Sequence, residues 1–598
     1  MGAAAAPGDV GAAAAPAREP WHRRRRVPLF ATVCVLPLYA LWAVALATGG
    51  GDLAAQEAWA GFAARHPGSA YNLSWHGGLH TGAYSLISPY VMAAFGVVPV
   101  TVASGLVSTW LAGRLWAGSG LHRACWPALL AGLMLWCQAA SGRTTFLLGA
   151  AFGLAAVRAL VSGHRAGGHR AGGHRVSEDR AREDRANGVR ANGRRVNRDP
   201  ANGRRASRRR MSRHRTSRRR GPVIACWAVL ATMASPVAGL FLLVVGAAGL
   251  LTSRRAAAAA ATLLPPAAVL GLTAWLFPFQ GEQPMPLVRL WPPLLMGVAA
   301  ALAAPRSWRT VRAAAAVYAV GVGLTYLFPS PVGTNVERLA HLAVPPLLLA
   351  AALADGVHRR FLTVRRGSLA LALLLSVAWV GGNTAAHIGD TARVPAWAAQ
   401  TGGVVRALER LGADRSRVEV VMARSHREAA VLAPYVPLAR GWNRQADVER
   451  GRLFYEGTLT EASYRAWLDR WAVGFVVLHA GPLDAASERE HALVASGPAY
   501  LQAVWRDANW RVYRVSNPTP LVTAPASVVR SDRAEVVVRM PRPGTVTLRI
   551  AYSPWLRAAG GCLAPAGADG GLTRLTVARP GNVTIGSAYR AGDRRCAA

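Results

Sequence analysis

The feature that most constrains this chain is a series of apolar runs, each long enough to cross the ~30 Å of hydrocarbon in a bilayer, separated by connectors in which arginine is concentrated. A formal net charge of +39 sits in a chain that is 52% hydrophobic and only 17% charged. There is no lysine, so the whole excess is arginine. High apolar content and high charge coexist in one chain when the two are segregated, which excludes a uniform soluble enzyme and a wholly disordered chain. The pattern reads as a polytopic α-helical membrane protein. At 598 residues there is also room for further folded units.

The first run covers 27–47, directly after the cluster Arg23 to Arg26. It exceeds the roughly 7–15 apolar residues of a signal-peptide core, so it reads as an uncleaved anchor. Further runs cover 86–112, 124–140, 144–161, 256–277, 288–304, 311–328, 338–355 and 367–384. The stretch 222–251 is interrupted by Ser235-Pro236 and has arginines at both ends. Read as two short helices, it leaves every arginine cluster on the N-terminal side of the membrane: Arg114/Arg123, Arg306/Arg309/Arg312 and Arg359/Arg360/Arg365/Arg366. That gives about eleven spans, N-terminus inside and C-terminus outside, in the cell membrane.

The expected organisation is a basic disordered N-terminus (1–26), a first part of the bundle (27–161) containing a catalytic-type loop (48–85), an arginine-rich linker (162–221), and a second part of the bundle (222–384). An extracytoplasmic α/β domain (385–517) and a β-sandwich-like module (518–598) follow. The linker holds 20 arginines against five acids in low-complexity repeats, and reads as a disordered cytoplasmic segment near anionic lipid. Without interleaved aromatics it gives no support to nucleic-acid binding. In the α/β part, short buried strands are expected near 418–422 and 474–479, with a hairpin turning at 507–509. Beyond Pro518 alternating strands separated by Pro-Gly turns point to the sandwich. Cys562 and Cys596 are the one cysteine pair outside the apolar spans, and an oxidising location predicts a bridge between them.

Chemistry is best placed in two stretches. In the loop 48–85, Asp52 and Gln56 fall four apart on one face of a short helix that Asp52 could cap, and Trp75-His76-Gly77-Gly78-Leu79-His80 offers a ring to stack on a ligand and two imidazoles. A carboxylate at the mouth of a bundle can act as general base towards a hydroxyl. The bland alternatives are a cap, an interfacial aromatic anchor and core histidines. The two histidines lack the ligand spacing of a metal site. The second stretch is 329–341, where turn residues place Asn335 and Arg338. Arg338, with Arg143 and Arg289 on the same side, could clamp a phosphate, since the planar guanidinium matches its oxygens. Here the bland alternative is an ion pair with Glu337.

The topology, together with GGDLAAQ, WHGGLHTGAYSLISP, ASPVAGLF and SPVGTNVERL in the bundle, resembles the GT-C superfamily of membrane glycosyltransferases, and in particular the actinobacterial integral-membrane proteins related to arabinosyl- and mannosyltransferases. PLARGWNRQ, LFYEGTLTEASYRAWL and VWRDANWRVYRV are similar to tail domains of that group. The resemblance implies transfer of a sugar from a polyprenyl-phosphate carrier to a cell-envelope glycan acceptor. It makes Asp52 the base and Arg338 a ligand of the carrier phosphate, with Gln56, Trp75, His76, His80, Asn335, Arg143 and Arg289 in the substrate site. The DxD-type pair of metal-dependent members is lacking, and neither a metal nor another cofactor is implied. Two other classes stay open: a non-catalytic envelope scaffold, and a transporter or flippase.

Overall fold

The computed structural model describes residues 21–162, 220–252, 256–278, 281–354, 362–567 and 571–589. The expected apolar runs all form helices. These are α1 (Trp21–Leu41), followed after the turn by α2 (Asp52–Arg65), α3 (Ser88–Phe95), α4 (Val97–Trp116), α5 (Cys125–Ala140) and α6 (Thr144–Ser162). Then come α7 (Arg220–Ala234), α8 (Pro236–Thr252), α9 (Ala256–Leu276), α10 (Leu287–Ala303), α11 (Arg309–Leu327), α12 (Glu337–Leu353) and α13 (Leu362–Thr391). Among the described residues six helical stretches are long and apolar enough to cross a membrane: Arg25–Leu46, Thr144–Ser162, Ala256–Leu276, Arg309–Leu327, Gly333–Leu353 and Arg366–Thr391. The helices α5, α7, α8 and α10 are shorter, and the long apolar helices as a set are compatible with a membrane protein.

Two features of the bundle were not both visible in the runs. The stretch 86–112, expected as one span, is bent by 111° between α3 and α4. Gly96 makes this bend with φ +84°, a conformation that a side chain with Cβ disfavours. The break at Ser235-Pro236 does double the chain back. Gly239 lies so close to Thr232 that a Cβ on it would stand 2.5 Å from Thr232 Cγ2, whereas seven residues of continuous helix would separate them by about 10 Å. Close approach through small residues recurs between α1 and α4, where a Cβ on Gly113 would lie 2.6 Å from Pro28 Cα.

The globular region carries β1 (Arg417–Val420), β2 (Val473–His479), β3 (Leu501–Arg506) and β4 (Trp510–Val515) in one sheet ordered β1-β2-β4-β3. The β1–β2 pair is parallel and the others antiparallel. Every residue of β2 is buried, as the centre of a sheet covered on both faces requires. The helices α14 (Gly402–Arg410), α15 (Arg444–Arg450), α16 (Glu461–Arg470) and α17 (Glu488–Ala495) surround it. Of these, α15 carries no apolar periodicity and was not expected. Asn443 caps it by accepting from Ala446 N.

The last module is built from β5 (Ser527–Ser531), β6 (Val536–Met540), β7 (Gly544–Ala551), β8 (Leu556–Ala559), β9 (Cys562–Ala566), β10 (Leu572–Val577) and β11 (Gly581–Ser587). They form a four-stranded sheet (β8-β11-β6-β5) and a three-stranded sheet (β9-β10-β7), whose inner faces share Val536, Val538, Leu548, Ile550, Leu575 and Ile585. Cys562 opens β9 and is disulfide-bonded; its expected partner Cys596 lies outside the described residues. Of the expected linker 162–221, residues 163–219 lie outside them too, whereas Ser162 ends α6 and Arg220 and Gly221 begin α7.

The loop 48–85 is no free loop. Tyr71 and Leu73 are buried in the core of the sandwich, and Leu73 N donates to Arg533 O at 2.8 Å. Trp555 of the sandwich stacks on Phe277 after α9 and donates to Leu276 O at 2.6 Å. The globular region therefore sits directly on one end of the helices.

Candidate functional site

The chain leaves the first apolar helix through Gly49-Gly50-Gly51, and the spacing of these glycines is set by what they touch. A Cβ on Gly51, which has φ +65°, would stand 2.3 Å from Cε1 of His387 on α13. Gly51, not Asp52, is the N-cap residue of α2, and Asp52 is the first helical residue. The expected capping role of Asp52 is thus taken by backbone geometry, which frees the carboxylate to face the bundle.

That carboxylate meets two of the expected arginines. Asp52 Oδ2 is 3.9 Å from Arg338 Nη2 and 4.0 Å from Arg143 Nε. Arg338 comes from the first turn of α12, with its guanidinium 5.7 Å from the Phe146 ring centroid. Arg143 follows the tight turn between α5 and α6, where Gly142 (φ +69°) brings the backbone so near α2 that a Cβ would lie 2.7 Å from Leu53 N. Arg143 Nη1 also donates to Gln138 Oε1 at 2.9 Å. The third arginine, Arg289, pairs with Glu337 at 3.9 Å. At these separations the carboxylates are paired by charge but not hydrogen-bonded, so their lone pairs stay available.

A cavity of about 200 Å³ opens between these groups, lined by Asp52, Arg143, Arg289 and Glu337 and closed by Gln138, Ser141, His341, Asn383, Thr384 and His387. Arg143 Nε, Glu337 Oε1, His341 Nε2 and Asn383 Nδ2 are buried there without a hydrogen-bond partner. Each such group costs about 1–3 kcal/mol unless something satisfies it, so four around one cavity mark it as a place for water or a polar ligand. An apolar cavity of about 870 Å³ lies beside it. It runs from Phe146, under Arg338, to Trp116 and Trp308, past Phe241, Leu342 and Pro346. From 146 to 161 on α6 this is roughly 22 Å of helix.

The remaining expected site residues are placed elsewhere. Gln56 is buried and donates to Tyr84 Oη rather than lining the cavity. Trp75, expected as a stacking platform, is 3% exposed and packs on Trp59 (centroids 5.5 Å apart) and against Gly441 of the globular region. His76 is buried with Nδ1 4.0 Å from Asp447, and burial pushes its pKa down to about 3. His80 lies between Tyr71 and Phe277 and is lowered likewise to about 3. Both imidazoles are neutral packing groups. The contacts that bury them come from residues remote in sequence, Asp447 for His76 and Phe277 for His80. Asn335 is half-buried in the turn Gly333–Val336, its N donating to Val332 O at 2.9 Å, and does not line the cavity. Among the described residues no group of three His, Cys, Asp or Glu could hold a metal.

Sequence reasoning passed over Gln138, Asn383 and His387, and gave no role to His341 at the end of the stretch 329–341. The signal was present: polar side chains in otherwise apolar helices rarely lie there without a function. It also passed over a cluster in the globular region that presses on the same corner. Gly51 N donates to Ser425 O at 2.6 Å. Arg427, 2% exposed, donates to Thr48 O, to Thr48 Oγ1 at 2.8 Å, to Thr391 O at 2.6 Å and to Arg393 O at 3.3 Å. Next to it His426 stacks on Trp442 and faces Asp484 (3.7 Å) and Glu428 (3.9 Å). Deeper in, Arg440 binds Asp447 and Glu490 at 2.8 Å and Glu419 at 3.3 Å, all of them buried.

A family described as a domain of unknown function (DUF8823) matches residues 523–560, within the sandwich module. No curated protein matches the chain.

Proposed function

We propose that this protein is a membrane glycosyltransferase that moves a sugar from a polyprenyl-phosphate carrier to a hydroxyl of a cell-envelope acceptor. The reading takes the chain to cross the cell membrane about eleven times, N-terminus inside, with the α/β domain and sandwich outside, because that placement keeps the arginine clusters on the cytoplasmic face. The observation that carries it is the Asp52 carboxylate 3.9 Å from the Arg338 guanidinium, which lies over the Phe146 ring that lines an apolar cavity long enough for a lipid tail.

In the reaction, the acceptor oxygen forms a bond to the anomeric carbon while Asp52 takes the hydroxyl proton. The bond from that carbon to the phosphate oxygen breaks, and the electron pair leaves with the phosphate. Arg338 and Arg143 stabilise the charge that gathers on the leaving group. Neither a P-loop nor a dinucleotide-binding glycine motif occurs in the sequence, which agrees with a lipid-linked donor.

The test uses the full chain in lipid nanodiscs with a labelled polyprenyl-phosphoryl sugar. Wild type is expected to transfer label to a hydroxyl acceptor, and Asp52→Asn to lose at least about 100-fold in rate at unchanged yield and melting temperature. Equal activity of Asp52→Asn removes this residue from the chemistry. No transfer by folded wild type across a panel of such donors leaves the scaffold reading.

A further inference from the structure

We infer that the apolar cavity binds one anionic phospholipid at its end away from the globular region, with the lipid's phosphate at Arg309 and an acyl chain inside the cavity. On the orientation proposed above, this lipid belongs to the cytoplasmic leaflet. Such a lipid requires the helices to lie in a bilayer but does not require the transfer reaction, and its phosphate lies at the opposite end of the cavity from the Asp52 corner.

The two ends of the cavity are far apart. Helix α6 starts at Thr144, next to the Arg143 that faces Asp52, and ends at Ser162, so Val161 lies at the opposite end of the cavity from Phe146. The residues just after α4, the last residue of α8 and the start of α11 converge at that end and bring Ser119, Thr252, Arg309 and Thr310 into the lining. Thr252 Oγ1 and Thr310 Oγ1 are hydrogen-bonded at 2.8 Å, which ties α8 to α11. Ser119 Oγ donates to Trp116 O and Thr252 Oγ1 to Ala248 O, so the guanidinium of Arg309 is the donor left for an anion. No ion pair to Arg309 occurs among the described residues, and none of the described lining residues is acidic. The sequence itself holds no Asp or Glu at 58–177 or 200–281.

Depth and polarity identify the occupant. Trp116 and Trp308 line the same end. Tryptophan concentrates where hydrocarbon meets headgroups, so this is the level of a phosphate and not of a chain terminus. Between the ends the wall is apolar, with Leu154, Val157, Leu242, Val245 and Leu347. An unpaired charge does not pass along such a wall cheaply, so a headgroup at Arg338 cannot also serve Arg309. The stretch 154–161 is about 10 Å of helix, enough for part of a chain, and the half near Phe146 stays open to a chain entering from Arg338. A basic pocket between helices favours an anionic headgroup, whereas a zwitterionic one would bring its own cation beside Arg309.

Native mass spectrometry tests this on the full chain released from nanodiscs of phosphatidylcholine with a minority of phosphatidylglycerol. Wild type is expected to retain phosphatidylglycerol in preference to phosphatidylcholine. Arg309→Gln is expected to lower that retention at least about tenfold at unchanged melting temperature, because the charged donor is lost. Gly153→Phe and Val157→Phe are expected to do the same by filling the cavity; a Cβ on Gly153 would meet only Ala231 Cβ and Leu242 Cδ2, both at 4.0 Å. Arg306→Gln, near the same end but outside the lining, is expected to stay within about threefold of wild type. Equal retention of both lipids by wild type, or a loss with Arg306→Gln as large as with Arg309→Gln, overturns the inference. So does a loss with Arg309→Gln while both cavity-filling variants keep the lipid, since the headgroup is then held on the surface alone. Displacement by sn-glycerol 3-phosphate overturns it as well, because the site then takes a free phosphate. Selective retention by a chain without transfer activity keeps this site and removes the transferase reading, and transfer without lipid preference does the reverse.

Discussion

Replacing Arg427 by alanine tests whether the globular region holds Asp52 in place. The guanidinium is buried and gives hydrogen bonds to the carbonyls of Thr48, Thr391 and Arg393, tying the exit of the first helix to the end of α13. The adjacent Ser425 carbonyl receives the amide of Gly51, one residue before Asp52. A hydrogen bond from a charged donor is worth about 1.5–3 kcal/mol, and such bonds within one group are not additive, so about 3 kcal/mol is a low figure for the set. The variant also leaves Glu57, which burial already raises above its ordinary pKa, without the nearby guanidinium. At 1.4 kcal/mol per decade, opening of the triple-glycine loop should become more favourable by about 100-fold. Hydrogen–deuterium exchange read on peptides spanning 45–60 in nanodiscs reports that opening directly. The expected result is about 100-fold faster exchange at the Gly51 amide, with β2 of the α/β sheet unchanged. Exchange within threefold of wild type would refute the idea that the globular region positions the loop.

Two further perturbations probe the charged interior. Arg440→Ala leaves Glu419, Asp447 and Glu490 buried around a lost cation, and should destabilise the α/β domain by about 3–5 kcal/mol; adding Glu490→Gln should recover part of the loss in melting temperature. The pH dependence should be two-sided. Burial raises Glu428 to about 8, so the folded state holds a proton the unfolded chain releases, and its contribution is full below about 4.5 and lost as pH rises towards 8. Burial lowers His76 and His426 to about 3, so their contribution is full above about 6.5 and lost as pH falls towards 3. Glu428→Gln should therefore gain stability over wild type between pH 5 and 8, by at most about 1.4 kcal/mol per pH unit. A gain that does not grow with pH in a fluorescence-monitored melt would contradict the buried neutral carboxyl.

The apolar helices, the break at Ser235-Pro236, the strands of the α/β sheet and the alternating strands after Pro518 were all legible in the sequence. Each is governed by hydrophobic period and local turn chemistry, which depend on neighbours in the chain. The meeting of Asp52 with Arg143 and Arg338 was anticipated only as a question, because their separation in sequence leaves spacing silent. Tertiary structure answered it through Gly51 and Gly142, whose missing side chains let three helix ends crowd together. It also buries Trp75 and His76 against the globular region and His80 between Tyr71 and Phe277, away from the cavity. The sequence by itself determined a chain of apolar helices bearing a mixed α/β and β cap, since burying apolar surface is decided by composition along each segment. Which polar groups share a cavity was decided only in three dimensions, because burial of a carboxylate or an imidazole depends on partners hundreds of residues away.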